Sequence, residues 1–420
     1  MAAKMAALFR CYRVSLACRP VVTDEINFLM RRQCASFSRR CDLSCLATEN
    51  GISPISKNTF GYQQTSLVGL QEKRFFTSSS VTPNDNPQIT FESLSDLIKD
   101  KLQESLNHDS LATHLKVLEA LIKHWKGEVL SVSVTRTAAE LSSEDVYRLA
   151  SLIFETQESV GKDAVELAAP LFRFSAMAGN PDGMYSYAKL LETGEGGVER
   201  DPIEAGKLFS ELADQGHPFA QFTLAHFYHN GIGMKKDLQM ALELYEASAK
   251  KGVREANTMI GNMYTTGEIG KVDLIKAAKY FTKAAEKGDV PALMSLGAFY
   301  SQGTGVEKNF QKSFKCYKAA ADQGHLTAQY NVGVNYFAGK GVENDMKKAA
   351  YYFNLAAQQG HVFAQINLGN MYYFGYGVEK NWEKSRQLYK EAAKSNQHAE
   401  LLLQELEHEM ENLDKNDDPY

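Results

Sequence analysis

Cysteine is nearly missing from the body of this chain. Of six, five (Cys11, Cys18, Cys34, Cys41 and Cys45) fall in the first 45 residues, and Cys316 alone serves the remainder. That excludes a disulfide framework or a cysteine-built metal site and fits a reducing compartment. Long apolar runs are also lacking. A membrane-spanning helix needs about 18 or more consecutive apolar residues, whereas a window such as Val14 to Cys18 is ended at once by Arg19 and Pro20, so no integral membrane segment is expected. Nor is there a surplus of positive charge: the formal net charge is -5, which gives no general reason to expect nucleic acid, because phosphate is held by clustered Lys and Arg. What is present, 44% hydrophobic and 23% charged residues, is the composition of a folded protein. At about 150 residues per domain, the 420 residues form two or three units unless a repeat makes one long one.

The first 23 residues carry Lys4, Arg10, Arg13 and Arg19 and no acidic residue; up to residue 80 there are eleven basic and five acidic residues, which leaves -11 on the rest. Met5, Leu8, Phe9 and Tyr12 follow helical spacing with basic residues beside them, a basic amphipathic start. A secretory signal would need an apolar run of 7 to 15 residues and a small-residue cleavage site, and neither is visible. A basic, serine-rich, acid-poor leader is the composition of a mitochondrial transit peptide. The expectation is a disordered transit peptide over 1–76, contact with the mitochondrial import machinery through residues 1–40, and residence in the mitochondrion, in the matrix. Lys73-Arg74-Phe75-Phe76-Thr77 resembles the processing sites of matrix presequences, and Arg31-Arg32 offers an earlier cut. A linker over 77–90 follows.

From residue 180 the chain repeats itself. Gly179, Gly216, Gly252, Gly288, Gly324 and Gly360 are spaced by 37 and then by 36 residues, with Asn396 expected in the same place once more. Ala188, Ala225, Gly261, Gly297, Gly333 and Gly369 keep step, as do Leu191, Tyr228, Tyr264, Tyr300, Tyr336 and Tyr372. Each unit reads as helix, turn, helix. In the unit from His325, Ala328, Val332, Gly333 and Tyr336 share one helix face; Gly339-Lys340-Gly341 supplies positive φ where the chain reverses; Ala349, Phe353, Ala356 and Ala357 form the face of the second helix, closed by Gly360. One such pair cannot bury both of its apolar sides, so neighbours must stack.

The pattern Ala292, Leu296-Gly297, Tyr300, Gly303, Gly305-Val306, Tyr317, Ala320-Ala321 and Gly324 resembles the Sel1-like repeat, a TPR-like family. The resemblance covers 180–396 as six units, with a degenerate repeat over 143–179 in which Ala168, Phe172, Ala176 and Gly179 match the second helix. It implies an all-α, right-handed α-solenoid. An N-terminal helical cap over 91–142 is expected to hold helices over 91–106 and 111–125 and a short strand or ordered loop over 127–137. A capping box at Ser142 to Asp145 opens the degenerate repeat, and 397–420 forms a C-terminal capping helix and acidic tail.

Catalytic and cofactor signatures are missing. His217, His325 and His361 form a row spaced by whole repeats, about 10 Å by helix packing, too far apart to share one metal ion; they are expected to cap turns. His226 and His229 have no third ligand in view. No phosphate loop and no nucleophile elbow occurs. Cysteine-rich members of the family carry paired cysteines, and Cys316 stands alone, so penicillin, haem and disulfide-relay roles are not implied. No cofactor, metal or enzymatic activity is expected. The resemblance implies an adaptor that grips other proteins along the groove lined by first helices, to aid complex assembly or quality control. His226, Asn262, Tyr330, Asn335, Asn370 and Tyr373 escape the packing pattern and are the partner-binding candidates: Asn donates and accepts, and Tyr adds contact area with a polar tip. Two other readings remain open at this point: a stress-signalling adaptor similar to the death ligand signal enhancer, and a hydrolase within 88–165.

Overall fold

The computed structural model describes residues 114–118, 141–157 and 161–414. The expectations for the leader, the linker, residues 127–137 and the final tail lie outside these. All regular structure among the described residues is helical. Along the chain the helices are α1 (Ser143–Glu155), α2 (Lys162–Met177), α3 (Pro181–Thr193), α4 (Pro202–Asp214), α5 (Pro218–Asn230), α6 (Leu238–Lys250), α7 (Arg254–Thr266), α8 (Leu274–Ala285), α9 (Val290–Gln302), α10 (Phe310–Asp322), α11 (Leu326–Ala338), α12 (Met346–Gln358), α13 (Val362–Phe374), α14 (Trp382–Ala393) and α15 (Gln397–Asp414). They fall into two compact units divided between Ala292 and Leu293. In the first unit each helix from α1 to α8 packs on the next, and in the second the same holds from α10 to α15. Serial packing of antiparallel pairs is the arrangement of an α-solenoid.

Local chemistry sets where each helix starts and stops. The second helices α4, α6, α8, α10, α12 and α14 are preceded by Asp201, Asp237, Asp273, Asn309, Asp345 and Asn381, whose side chains accept backbone N–H groups of the first turn. This satisfies donors that a helix leaves unpaired. First helices end on glycine in the left-handed region, as at Gly339 with φ 66°, where residues with a Cβ are disfavoured. Before α1, the Ser142 hydroxyl accepts the Asp145 N–H at 3.1 Å and donates to the Asp145 carboxylate at 2.6 Å. The cap therefore forms, but the carboxylate turns to the hydroxyl and leaves the backbone N–H of Ser142 alone.

Within each pair an aromatic ring of the second helix lies on a small residue of the first. A Cβ on Gly261, Gly297, Gly333 or Gly369 would come within 2.6, 2.8, 2.7 and 2.5 Å of Phe281, Tyr317, Phe353 and Tyr389, so these rings rest directly on backbone. Ala188 with Phe209, and Ala225 with Tyr245, hold the same positions in the two preceding repeats. Val117 and Leu118 join Leu149, Ile153 and Leu171 in one buried cluster at the start of the first unit.

Neighbouring repeats are fastened through the turns. A methyl on Gly341 would overlap the Phe310 carbonyl, and one on Gly377 the backbone of Met346. The second turn glycine thus presses on the N-terminus of the preceding repeat's second helix. One expected register is corrected. Asn396 does not take the place of the helix-ending glycines: its side chain accepts the Ala399 N–H at 3.1 Å as the cap of α15. The reason is that Asn396 follows the first residue of α14, Trp382, by 14 positions, whereas His361 follows the first residue of α12, Met346, by 15, so the last unit is one residue short. The closing helix begins at Gln397, where the C-terminal capping segment is expected to start, and runs to Asp414.

Gly341→Ala is expected to cost about 2–4 kcal/mol in urea unfolding, combining about 1–2 for left-handed backbone with overpacking. Gly360→Ala, with φ 84° but no neighbouring atom within reach of a Cβ, should cost only the first part, about 1–2 kcal/mol.

Candidate partner-binding face

The first helices begin on a recurring cap. Nδ1 of His217, His325 and His361 accepts the backbone N–H of Ala220, Ala328 and Ala364 at 3.1, 3.2 and 3.2 Å. Asn180 and Asp289 do the same with Gly183 and Ala292, each at 2.8 Å. Accepting through Nδ1 requires the neutral ring with its proton on Nε2. Burial pushes the pKa of His325 and His361 down, which favours that form. The cap rings also carry the preceding repeat: Tyr185 stacks on His217 at 5.3 Å between centroids, and Tyr330 on His361 at 4.5 Å. The row of histidines caps turns, as expected, and adds a ring contact between repeats that the spacing did not show.

Above the caps, the first helices keep a half-buried polar face. In the first unit Lys189, His226 and Asn262 stand at one register after their caps, with Glu192, His229 and Thr265 a turn further on. Lys189 pairs with Glu192 at 2.5 Å, and His229 Nε2 with Glu268 at 2.9 Å. Burial lowers the pKa of His226, opposed by Glu192 and reinforced by His229 and Lys189. The His226 ring and the Asn262 amide have no hydrogen-bond partner among the described residues. Both therefore present unused donors and acceptors.

Of the other candidates, the Tyr330, Asn370 and Tyr373 side chains are engaged. Tyr330 is 7% exposed and is packing material, because its ring fills the space between Phe353 and His361. Asn335 is half-buried and one register position off the face; its backbone carbonyl accepts Lys340 N–H at 3.0 Å, and its side-chain amide has no hydrogen-bond partner among the described residues. Asn370 shares the register of His226 but accepts the Tyr389 hydroxyl at 2.6 Å. Tyr373 donates to Glu409 at 2.5 Å and stacks on Trp382. Beside it, Phe374 is 45% exposed and stacks on Tyr376. Periodicity could not see the Tyr330, Asn370 and Tyr373 pairings, since each joins different helices.

No group of three His, Cys, Asp or Glu is placed to hold a metal among the described residues. Burial pushes the Cys316 thiol up to about 11, far from the range of a reactive thiolate. Described residues within 88–165 are only 114–118, 141–157 and 161–165, so most of the segment considered for hydrolysis lies outside them. No described helix is long and apolar enough to cross a membrane.

A feature the sequence reading missed has the same period. Lys276, Lys312, Lys348 and Lys384 lie over the rings of Tyr264, Tyr300, Tyr336 and Tyr372, with ammonium to centroid distances of 5.1, 5.3, 5.4 and 5.2 Å. The signal was available as a lysine every 36 residues, three after the second-helix cap.

The Sel1 repeat family matches six consecutive segments, 181–217, 218–253, 254–289, 290–325, 326–361 and 362–397, more than half of the chain. This chain belongs to the Sel1 repeat family. Its Sel1 units start one residue after the first-helix caps, so the family boundary and the physical boundary coincide. A Sel1 repeat protein from Oxalobacter formigenes is 29% identical, with a TM-score of 0.51 over 58% of this chain and 100% of that one. A protective antigen of uropathogenic Escherichia coli with an SLR fold is 21% identical, with a TM-score of 0.40 over 76% of this chain and 80% of that one. No curated protein sequence matches.

Two Sel1 caps, His325 and His361, with the buried His226 and His398, are expected to make the fold sensitive to acid. A ring whose folded pKa lies below its unfolded value near 6.5 contributes stability that is full above that value and is lost as pH falls through the window beneath it. His226, His325, His361 and His398 all shift downward. Urea midpoints are expected to fall between pH 7.5 and 5.5. The double variant His325→Asn, His361→Asn keeps a capping side chain without a titrating ring, so its midpoint should fall less over the same interval.

Proposed function

We propose that this Sel1-repeat protein is a non-enzymatic adaptor of the mitochondrial matrix that holds segments of partner proteins along the first-helix face, in complex assembly or quality control. The observation that carries the adaptor reading is the pair His226 and Asn262. They occupy one register on successive first helices, are half-buried, and keep hydrogen-bonding capacity that nothing among the described residues uses. A polar group part-way out of water gains most when a partner's backbone or side chain satisfies it. Lys189 and Glu192 flank them with both charge signs, which suits a mixed protein segment better than a uniform polyanion. The mitochondrial part rests on the leader: eleven basic residues against five acidic before residue 80, on a chain whose remainder is negative.

Two measurements test the two parts. Replacing Arg10, Arg13 and Arg19 with Gln should abolish potential-dependent import of the full chain, read as protection from added protease in isolated mitochondria. Equal protection of the variant overturns the leader reading. In matrix proximity labelling, His226→Ala with Asn262→Ala should lower the yield of the chief labelled partners by about tenfold, the effect of removing two partly buried hydrogen bonds, with the unfolding midpoint kept. Unchanged labelling would remove the first-helix face from the proposal.

A further inference from the structure

Although the chain as a whole is negative, one face of α8 is not. Lys276, Lys279 and Lys283 project from successive turns of that helix, which contains no acidic residue. Their spacing spans about 10 Å along the axis. With Tyr264, Tyr280 and Thr282 they line an open cleft of about 510 Å³. The floor is aromatic: the two tyrosine rings stack at 5.8 Å with an interplanar angle of 14°. Lys276 lies over Tyr264 and Lys283 over Tyr280 at 5.1 and 5.0 Å. The ring faces hold the Lys276 and Lys283 ammonium groups, and no ring among the described residues holds that of Lys279.

The carboxylates nearby are few and already engaged. Asp273 caps α8 and reaches Lys276 at 3.5 Å, and Glu246 accepts the Tyr280 hydroxyl at 3.1 Å. Lys279 and Lys283 have no ion pair among the described residues. The cleft therefore carries unneutralised positive charge beside apolar ring surface. Its extent is limited, because Asp273 stands at one end of α8, Glu286 follows the other, and Glu246 lies alongside. An extended polyanion such as a nucleic acid, or a flat anionic membrane, would meet those carboxylates, whereas a short run of acidic side chains would not.

We infer that the α8 cleft, with Lys276, Lys279 and Lys283 above the Tyr264 and Tyr280 rings, docks a short acidic segment of a partner protein through two or three carboxylates. This is a second surface, on a second helix, and does not depend on the His226 and Asn262 face. Lysine supplies point charges without the planar fork of arginine, so recognition follows the number and spacing of carboxylates more than their orientation.

The test is fluorescence anisotropy of the full chain with a labelled short peptide rich in glutamate and aspartate, and with its glutamine and asparagine counterpart. Expected are saturable binding of the acidic peptide only, and weakening as salt rises, since exposed charges are screened beyond about 8–10 Å at physiological ionic strength. The double reversal Lys279→Glu, Lys283→Glu should weaken binding by about tenfold, as expected for two exposed charge contacts turned repulsive. Lys279→Gln, which removes a lysine not stacked on a ring, should weaken it by about threefold with no change in the unfolding midpoint. His226→Ala with Asn262→Ala should leave peptide affinity unchanged, which separates this site from the first-helix face. The inference is overturned if the acidic peptide does not bind, if the lysine variants bind as the parent does, or if single-stranded DNA or phosphatidylserine vesicles bind through the same lysines at least as tightly.

Discussion

An aromatic ring lying on bare backbone is the contact on which this structure depends. Phe281, Tyr317, Phe353 and Tyr389 sit where a Cβ on the facing glycine would come within 2.5 to 2.8 Å. Close approach gives each pair a dense interior from one large and one minimal residue, in keeping with the crystal-like packing of protein cores. It also fixes the pair's separation and leaves the outward faces of both helices to meet neighbours. The alanines around it, such as Ala320, Ala356 and Ala392 at 0% exposure, keep those faces flat enough to stack. A chain with larger residues at the glycine positions would hold the same helices further apart, and the turn glycines would no longer reach the preceding repeat.

That arrangement divides polar residues by what is left for them to do. Asp and Asn before the second helices, and His, Asn or Asp before most of the first, are consumed as caps. The lysines after the second-helix caps cover tyrosine rings. Among the polar groups of the first unit outside this accounting are His226 with Asn262 on successive first helices, and Lys279 of α8, beside Lys283 over the Tyr280 ring. They differ in character, one neutral and half-buried, the other cationic and exposed. An adaptor with two chemically distinct faces can bind two kinds of segment without either excluding the other.

Much of this was legible without coordinates. The period, the helix-turn-helix reading, the small-residue and aromatic positions and the capping role of His217, His325 and His361 all follow from spacing, because each depends on residues within one repeat. The errors share a cause. Tyr330, Asn370 and Tyr373 were placed on an open face because helical periodicity leaves them off the core stripe. Tyr330 packs against the next repeat's cap, Asn370 bonds the second helix of its own unit, and Tyr373 bonds α15. Asn396 falls out of register because one residue is missing between the start of α14 and the last cap, which leaves no mark in composition.

The amino-acid sequence by itself determined that this chain makes stacked helix pairs, since glycine, alanine and aromatic residues recurring every 36 positions can bury their surfaces only against copies of the same unit. Tertiary structure alone decided which polar side chains are spent and which are unspent. A hydrogen bond or a stacked ring between helices distant in sequence depends on side-chain direction in three dimensions, and residue spacing along one helix carries no information about that direction.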